Sequence, residues 1–148
     1  MSTEASKAVV RRMVEQAMIV GALDAAVAAY APDFVYHNPV VAEMPGLPPG
    51  PEGMRLLLAG ARAAFPDMQY RVVALIGEGD TVAVLYTWHG THRGSIGGVP
   101  ATGRTVTATG AIVCRVEADQ IVEQWDIDDR LHVLQQLGVA IAPSPIAS

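Results

Sequence analysis

The chain has 148 residues, 51% of them apolar, with 10 Lys and Arg against 15 Asp and Glu for a formal net charge of −5. A chain of this length is expected to fold as one domain, residues 1–148, burying roughly 70% of the surface its unfolded form exposes, and the acidic balance without a basic run speaks against a nucleic-acid partner. Cys114, the single cysteine, excludes an intramolecular disulfide and a multi-cysteine metal site. With no basic-then-apolar leader and no apolar run near the roughly 20 residues that span a bilayer, the expectation is a cytoplasmic protein without a membrane partner.

From Thr3 to Gly21 the apolar residues Val9, Val10, Met13, Val14, Ala17 and Met18 recur at helical spacing, with Thr3 as N-cap and Gly21 ending the helix. A short helix follows from about Asp24 to Tyr30, stopped at Ala31-Pro32-Asp33. Phe34 to Asn38 is aromatic and β-branched, and Pro39 limits it to a strand end or edge. Five of the ten prolines and three glycines lie between Pro39 and Gly53, which makes this stretch a loop. Pro51 then opens a helix whose apolar stripe is Met54, Leu57, Leu58, Ala61 and Phe65, and Pro66 ends it.

Beyond Met68 the period becomes two and predicts four strands, Met68–Ile76, Thr81–His92, Arg104–Val116 and Gln120 to about Asp128, with tight turns at 77–80 and 117–119. A last helical segment runs through Leu131, Val133, Leu134 and Leu137 to Gly138, and 139–148 reads as a loose tail around a core of about 6–138. The fold class is therefore α+β: a curved antiparallel sheet wrapped around the N-terminal helices, cone-shaped, with one internal pocket.

Alternation assigns the faces. On Thr81–His92 the even residues, including Tyr86, Trp88 and His92, form the apolar face. On the last strand Trp125 and Ile127 are placed inside with Asp129, opposite Ala108, Gly110, Ile112 and Cys114, on the assumption that Val116 pairs with Ile121. The expected pocket then holds His37, Tyr86, Trp88, His92, Trp125, Ile127 and Asp129, with Asp129 desolvated enough to move protons near neutral pH and His92, Tyr36 or Tyr86 as donors to a substrate oxygen. Asp126, Asp128 and Asp129 equally suit the acidic start of the helix near Arg130. No metal is expected, because no ligand spacing such as His-x-His exists and His89 and His92 point to opposite faces. The outward residues Thr105, Thr107, Thr109, Ala111 and Val113 carry no charge, which suggests a homodimer through the sheet's outer face.

Several segments resemble the SnoaL-like polyketide cyclases of the nuclear-transport-factor-2-like, or ketosteroid-isomerase-like, fold over about residues 6–138: Asp33 to Pro39, Gly50-Pro51-Glu52-Gly53, Phe65-Pro66-Asp67, Gly79 to Ala83, Gly90 to Gly94, Thr102-Gly103-Arg104, and Ile121 to Asp129 leading to Gln136-Leu137-Gly138. The resemblance implies an acid-base enzyme that closes a ring in an aromatic polyketide-like substrate by intramolecular aldol addition, without metal or organic cofactor. It implies Asp129 of Trp-x-x-x-Asp (Trp125 to Asp129) as the acid-base group, with neighbouring Asp126 as the alternative base, while the alternation sets His92 beside Asp129 and His37, Tyr36, Tyr86, Trp88, Trp125 and Ile127 around a small hydrophobic ligand. The histidine that some members carry on the penultimate strand is replaced here by Ala108, Gly110, Ile112 or Cys114. The fold also hosts isomerases, hydroxylases, dehydratases and non-catalytic carriers of hydrophobic ligands, while the Arg-x-Asp pair of its epoxide hydrolases does not occur.

Overall fold

The structure, a computed structural model, describes residues 2–140. Most of the tail expected from 139 onward, residues 141–148, lies outside the described residues. Helix α1 (Thr3–Val14) passes into a π-helical stretch, Glu15–Val20, ended by Gly21 in the left-handed region at φ 77°. Ser2, not Thr3, caps α1, its hydroxyl accepting the Ala5 N–H at 3.1 Å. The carbonyls loosened at the end of the π stretch are taken up from outside it: Arg62 Nη2 donates to Met18 O at 2.8 Å and to Ala17 O at 3.2 Å.

Helix α2 (Leu23–Val27) leads into strand β1 (Tyr30–His37), and a 3-10 turn, Pro39–Glu43, precedes helix α3 (Gly50–Ala64). The Pro-rich stretch is thus partly a turn rather than wholly irregular, with Asn38 Oδ1 capping it through Val40 N–H at 3.0 Å. Strands β2 (Gln69–Glu78), β3 (Thr81–Thr91), β4 (Thr105–Glu117) and β5 (Gln120–Asp128) follow, and α4 (Arg130–Gln136) closes the described chain. Among the described residues no helix is long and apolar enough to cross a membrane.

The five strands form one curved, unclosed sheet in the order β1-β5-β4-β3-β2. The four long strands are antiparallel, as the tight turns joining β2 to β3 and β4 to β5 require of those pairs, but β1 runs parallel to β5, so the sheet is mixed rather than purely antiparallel. The reason is the connection: β1 and β5 are far apart in sequence, and a parallel pair needs such a long crossover. Pro32 is tolerated because β1 is an edge strand. One face of the sheet packs on the helices, with Val10 and Val14 of α1 against Val82, Val84, Ile112, Cys114, Val116 and Ile121, all buried. Each such aliphatic side chain contributes roughly 1.5–3 kcal/mol on burial.

Two features position the site. The connection between β3 and β4 is rooted on α3, where the N–H groups of Arg93 (2.9 Å) and Gly94 (3.1 Å) both donate to Ala64 O. Gly94 lies so close to α3 that a Cβ there would stand 2.4 Å from Ala63 O. At the tip, Ile96 and Val99 pair across Gly97 and Gly98, whose φ angles are 55° and 79°.

The second feature is a bulge in β5. Val116 pairs with Ile121 as expected, but Arg115 pairs with Glu123, so Val122 is an extra residue without a counterpart on β4. Because side chains alternate, one extra residue moves every later side chain to the other face.

Candidate active site

The bulge reverses the assignment of the last strand. Cys114 faces Gln124, Ile112 faces Asp126 and Gly110 faces Asp128, so Gln124, Asp126 and Asp128 share the inner face. Trp125 and Ile127, expected inside, pair with Val113 and Ala111 on the outer face instead. Trp125 stacks there on His37, with ring centroids 4.8 Å apart and planes within 11°, and His37 Nε2 meets Glu123 Oε2 at 2.7 Å.

The inner face opens into a cavity of about 510 Å³. Phe65, Tyr70, Tyr86 and Trp88 make its aromatic wall, Ala108 lies on β4, and Val133 and Leu134 of α4 with Leu137 just past its end close its far side. Asp126 and Asp128 are the carboxylates β5 brings to this wall, and Asn38, Ile96, Gly97, Asp129 and Arg130 surround the mouth. There Arg130 Nη2 meets Glu43 Oε2 at 3.0 Å, joining α4 to the 3-10 turn.

Asp126 is the centre of a hydrogen-bonded chain. Tyr36 Oη donates to its Oδ2 at 2.5 Å and Gln124 Nε2 to its Oδ1 at 2.7 Å. Behind Gln124, Tyr30 Oη donates to Gln124 Oε1 at 2.6 Å, which forces the amide to point its nitrogen at Asp126. Tyr36 Oη also accepts from Asn38 Nδ2 at 3.0 Å, and Asn38 Nδ2 reaches Asp128 Oδ2 at 3.4 Å. Burial pushes the Asp126 carboxyl up from its ordinary 3.8 to about 6 against the opposing hydrogen bonds of Tyr36 and Gln124, and the charge of Asp128 adds to the rise. Burial likewise holds the Tyr36 and Tyr86 phenols protonated well above their usual range and pushes Tyr70 up to about 12.

The other expected site residues separate. Tyr86 and Trp88 line the cavity, Ile127 reaches its edge while 63% exposed, and Asp129 stands exposed at the mouth. There Asp129 caps α4, its Oδ1 accepting the His132 N–H at 3.3 Å, the arrangement that an acidic helix start predicts. His92 is fully buried and is not a lining residue; it packs behind Phe65 with ring centroids 5.4 Å apart. Its Nδ1 accepts the Thr102 N–H at 3.1 Å, which places the ring proton on Nε2, buried without a partner. Tyr36 acts through its hydroxyl on Asp126 rather than as a wall residue, and His37 and Trp125 lie on the outer face. Sequence reasoning held Asp126 only as the alternative base and missed Gln124, Asp128 and Tyr70 beside it; the alternation of Gln124, Asp126 and Asp128 was the signal available for the three on β5. Among the described residues no three His, Cys, Asp or Glu side chains converge as a metal site.

Residues 8–137 match the SnoaL-like polyketide cyclases, and the chain belongs to that family. Among solved structures it is similar to IdmH of Streptomyces antibioticus, named provisionally as a polyketide cyclase, at 35% identity and TM-score 0.75, covering 90% of this chain and 99% of that one. It is similar to AclR of Streptomyces galilaeus, named provisionally as a hydroxylase, at 26% identity and TM-score 0.77 over 99% of this chain and 88% of that one. TsrD of Streptomyces laurentii shares the fold at TM-score 0.81 and 22% identity, over 95% and 99% of the two chains. No curated protein sequence matches the chain.

Proposed function

We propose that the protein is a cofactor-independent cyclase that closes a ring in an aromatic polyketide-like substrate by intramolecular aldol addition, with Asp126 as the acid-base group. The observation that carries this reading is one carboxyl group, half-buried against an apolar aromatic pocket and raised to about 6, held by two donors. A base with such a midpoint is largely ionised at neutral pH yet binds a proton well enough to return it. Asp126 takes the proton from a carbon flanked by carbonyls, and the electron pair passes to the enolate oxygen. The enolate carbon attacks a second carbonyl, a C–C bond forms, the attacked oxygen receives the pair, and Asp126 returns the proton to it. Product and substrate are isomers, so the step balances without a co-reactant. The likeness to IdmH supports this choice of reaction.

The test is turnover of an anthraquinone ester with a pendant ketone, followed by mass spectrometry. Positioned proton transfer contributes about 10² to 10⁴ in rate, so Asp126→Asn should lose that factor while Asp129→Asn stays within about tenfold of the parent. The reverse pattern returns the base to Asp129. Binding of the ester without turnover in the parent favours a carrier, full activity in both variants removes both carboxylates as the base, and a product one oxygen heavier favours the hydroxylase reading that the likeness to AclR supports.

A further inference from the structure

A base needs a counterpart, because the enolate it creates carries a negative charge on oxygen beside Asp126 and Asp128. Of the expected donors, Tyr36 already gives its hydroxyl hydrogen to Asp126, and His92 lies behind Phe65. Tyr86 lines the cavity, and among the described residues nothing receives a hydrogen bond from its hydroxyl. Its ring is held by packing at a tilt against Tyr70, with centroids 5.6 Å apart.

The position of that hydroxyl is set by a gap in the sheet. Tyr86 on β3 pairs with Gly110 on β4, and Gly110 pairs with Asp128 on β5, so the three residues form one row on the inner face. Adjacent strands lie about 4.8 Å apart. A tyrosine leaning along the row therefore crosses the middle strand toward the carboxylates. It does so: a Cβ on Gly110 would stand 2.4 Å from Tyr86 Oη, 2.6 Å from Cζ and 3.1 Å from Cε2. Any other residue at 110 would occupy the space in which the phenol lies. Gly110 has no positive φ to explain it, so the close approach is what the glycine permits.

We infer that Tyr86 is a catalytic residue, its hydroxyl laid across Gly110 to donate the hydrogen bond that holds the substrate's developing oxyanion, and that Gly110 is the positioning residue that leaves it room. The inference rests on the acid-base reading of the same pocket. Burial, with Asp128 and Asp126 adding to it, keeps the phenol protonated and hence a donor over the working range. A donor already in place when charge develops costs no reorganisation.

The test uses 4-nitrophenol, whose ionised form presents a delocalised oxyanion and absorbs apart from the neutral form, with 4-nitroanisole as a ligand of similar shape that cannot ionise. Binding is measured in an Asp126→Asn background, which stands for the carboxyl after it has taken its proton. A hydrogen bond to a charged group is worth about tenfold or more in affinity. Tyr86→Phe should weaken 4-nitrophenolate binding by at least about tenfold and leave 4-nitroanisole within about twofold. Gly110→Ala should do the same with the phenol intact, and Tyr86→Phe keeps the test decisive should Gly110→Ala not fold. Unchanged phenolate affinity in Tyr86→Phe overturns the inference. Failure of 4-nitroanisole to bind at all overturns it together with the aromatic-pocket reading. Loss of phenolate binding in Tyr86→Phe, alongside full turnover in Asp126→Asn, leaves the donor standing and removes the base.

Discussion

Gln124 and Asp126, two residues apart on β5 and on the same face, are joined by a 2.7 Å hydrogen bond from Gln124 Nε2 to Asp126 Oδ1. The amide cannot turn over, because its oxygen is committed to Tyr30 Oη. Gln124 therefore acts as a fixed donor that favours the ionised carboxylate.

Removing that donor should move the carboxyl upward. In Gln124→Leu the midpoint of Asp126 is expected above the parent's value of about 6, and the acidic limb of the pH-rate profile should follow it to higher pH. Carboxyl carbon NMR titration checks the midpoint directly. The orphaned Tyr30 hydroxyl adds a stability loss of about 1–3 kcal/mol, which a denaturant melt will report.

Asp126 also ties stability to pH. Its folded value, about 6, lies above its ordinary 3.8, so the stability due to the neutral carboxyl is fully present below about pH 4 and is lost as pH rises through 6. The rise corresponds to at most ~3 kcal/mol. Chemical denaturation across this range should show a smaller decline in Asp126→Asn than in the parent. Parallel curves for the two proteins would contradict the raised value.

The β4–β5 turn holds a correctable strain. Ala118 and Asp119 adopt φ of 47° and 60°, and a residue with a Cβ pays about 1–2 kcal/mol to do so. Ala118→Asn, which tolerates this region better, should raise stability by roughly 1 kcal/mol, or a few degrees in Tm by calorimetry.

The outer face of the sheet predicts assembly. Leu85, Ala111 and Ile127 form one cross-strand row and Ala83, Val113 and Trp125 the next, with Leu85 41% and Ile127 63% exposed. A second copy of the chain covering these rows is the expected state, with twice the 15.6 kDa of one chain by light scattering. Leu85→Asp should give the single-chain mass without unfolding.

Most of the architecture was legible because β3 and β4 alternate without interruption. Val82, Val84 and Tyr86 point inward and Leu85 outward, as their types indicate. The site was legible only to the bulge. Nothing in Ile121-Val122-Glu123 marks Val122 as surplus, since a bulge is fixed by pairing with β4 and not by residue type. Hydrophobicity then pointed the wrong way, because Trp125 and Ile127 are the apolar choice and Gln124 and Asp126 the polar one. The inward polar set is accepted because each member is hydrogen-bonded, a cooperative arrangement invisible to a face-by-face reading. The parallel pairing of β1 with β5 escaped for the same reason, since it joins segments about ninety positions apart.

The connection from β3 to β4 divides its labour along its own length. At Arg93 and Gly94 it is riveted to the end of α3, whereas the tip, Ile96 to Val99, hangs at the pocket mouth on a two-glycine turn. The part of the chain that borders the pocket mouth can thus be rewritten without disturbing the strand that carries Asp126. Exchanging residues 95–101 for a longer or shorter tip is a modular alteration, like changing the jaws of a wrench while leaving its handle alone.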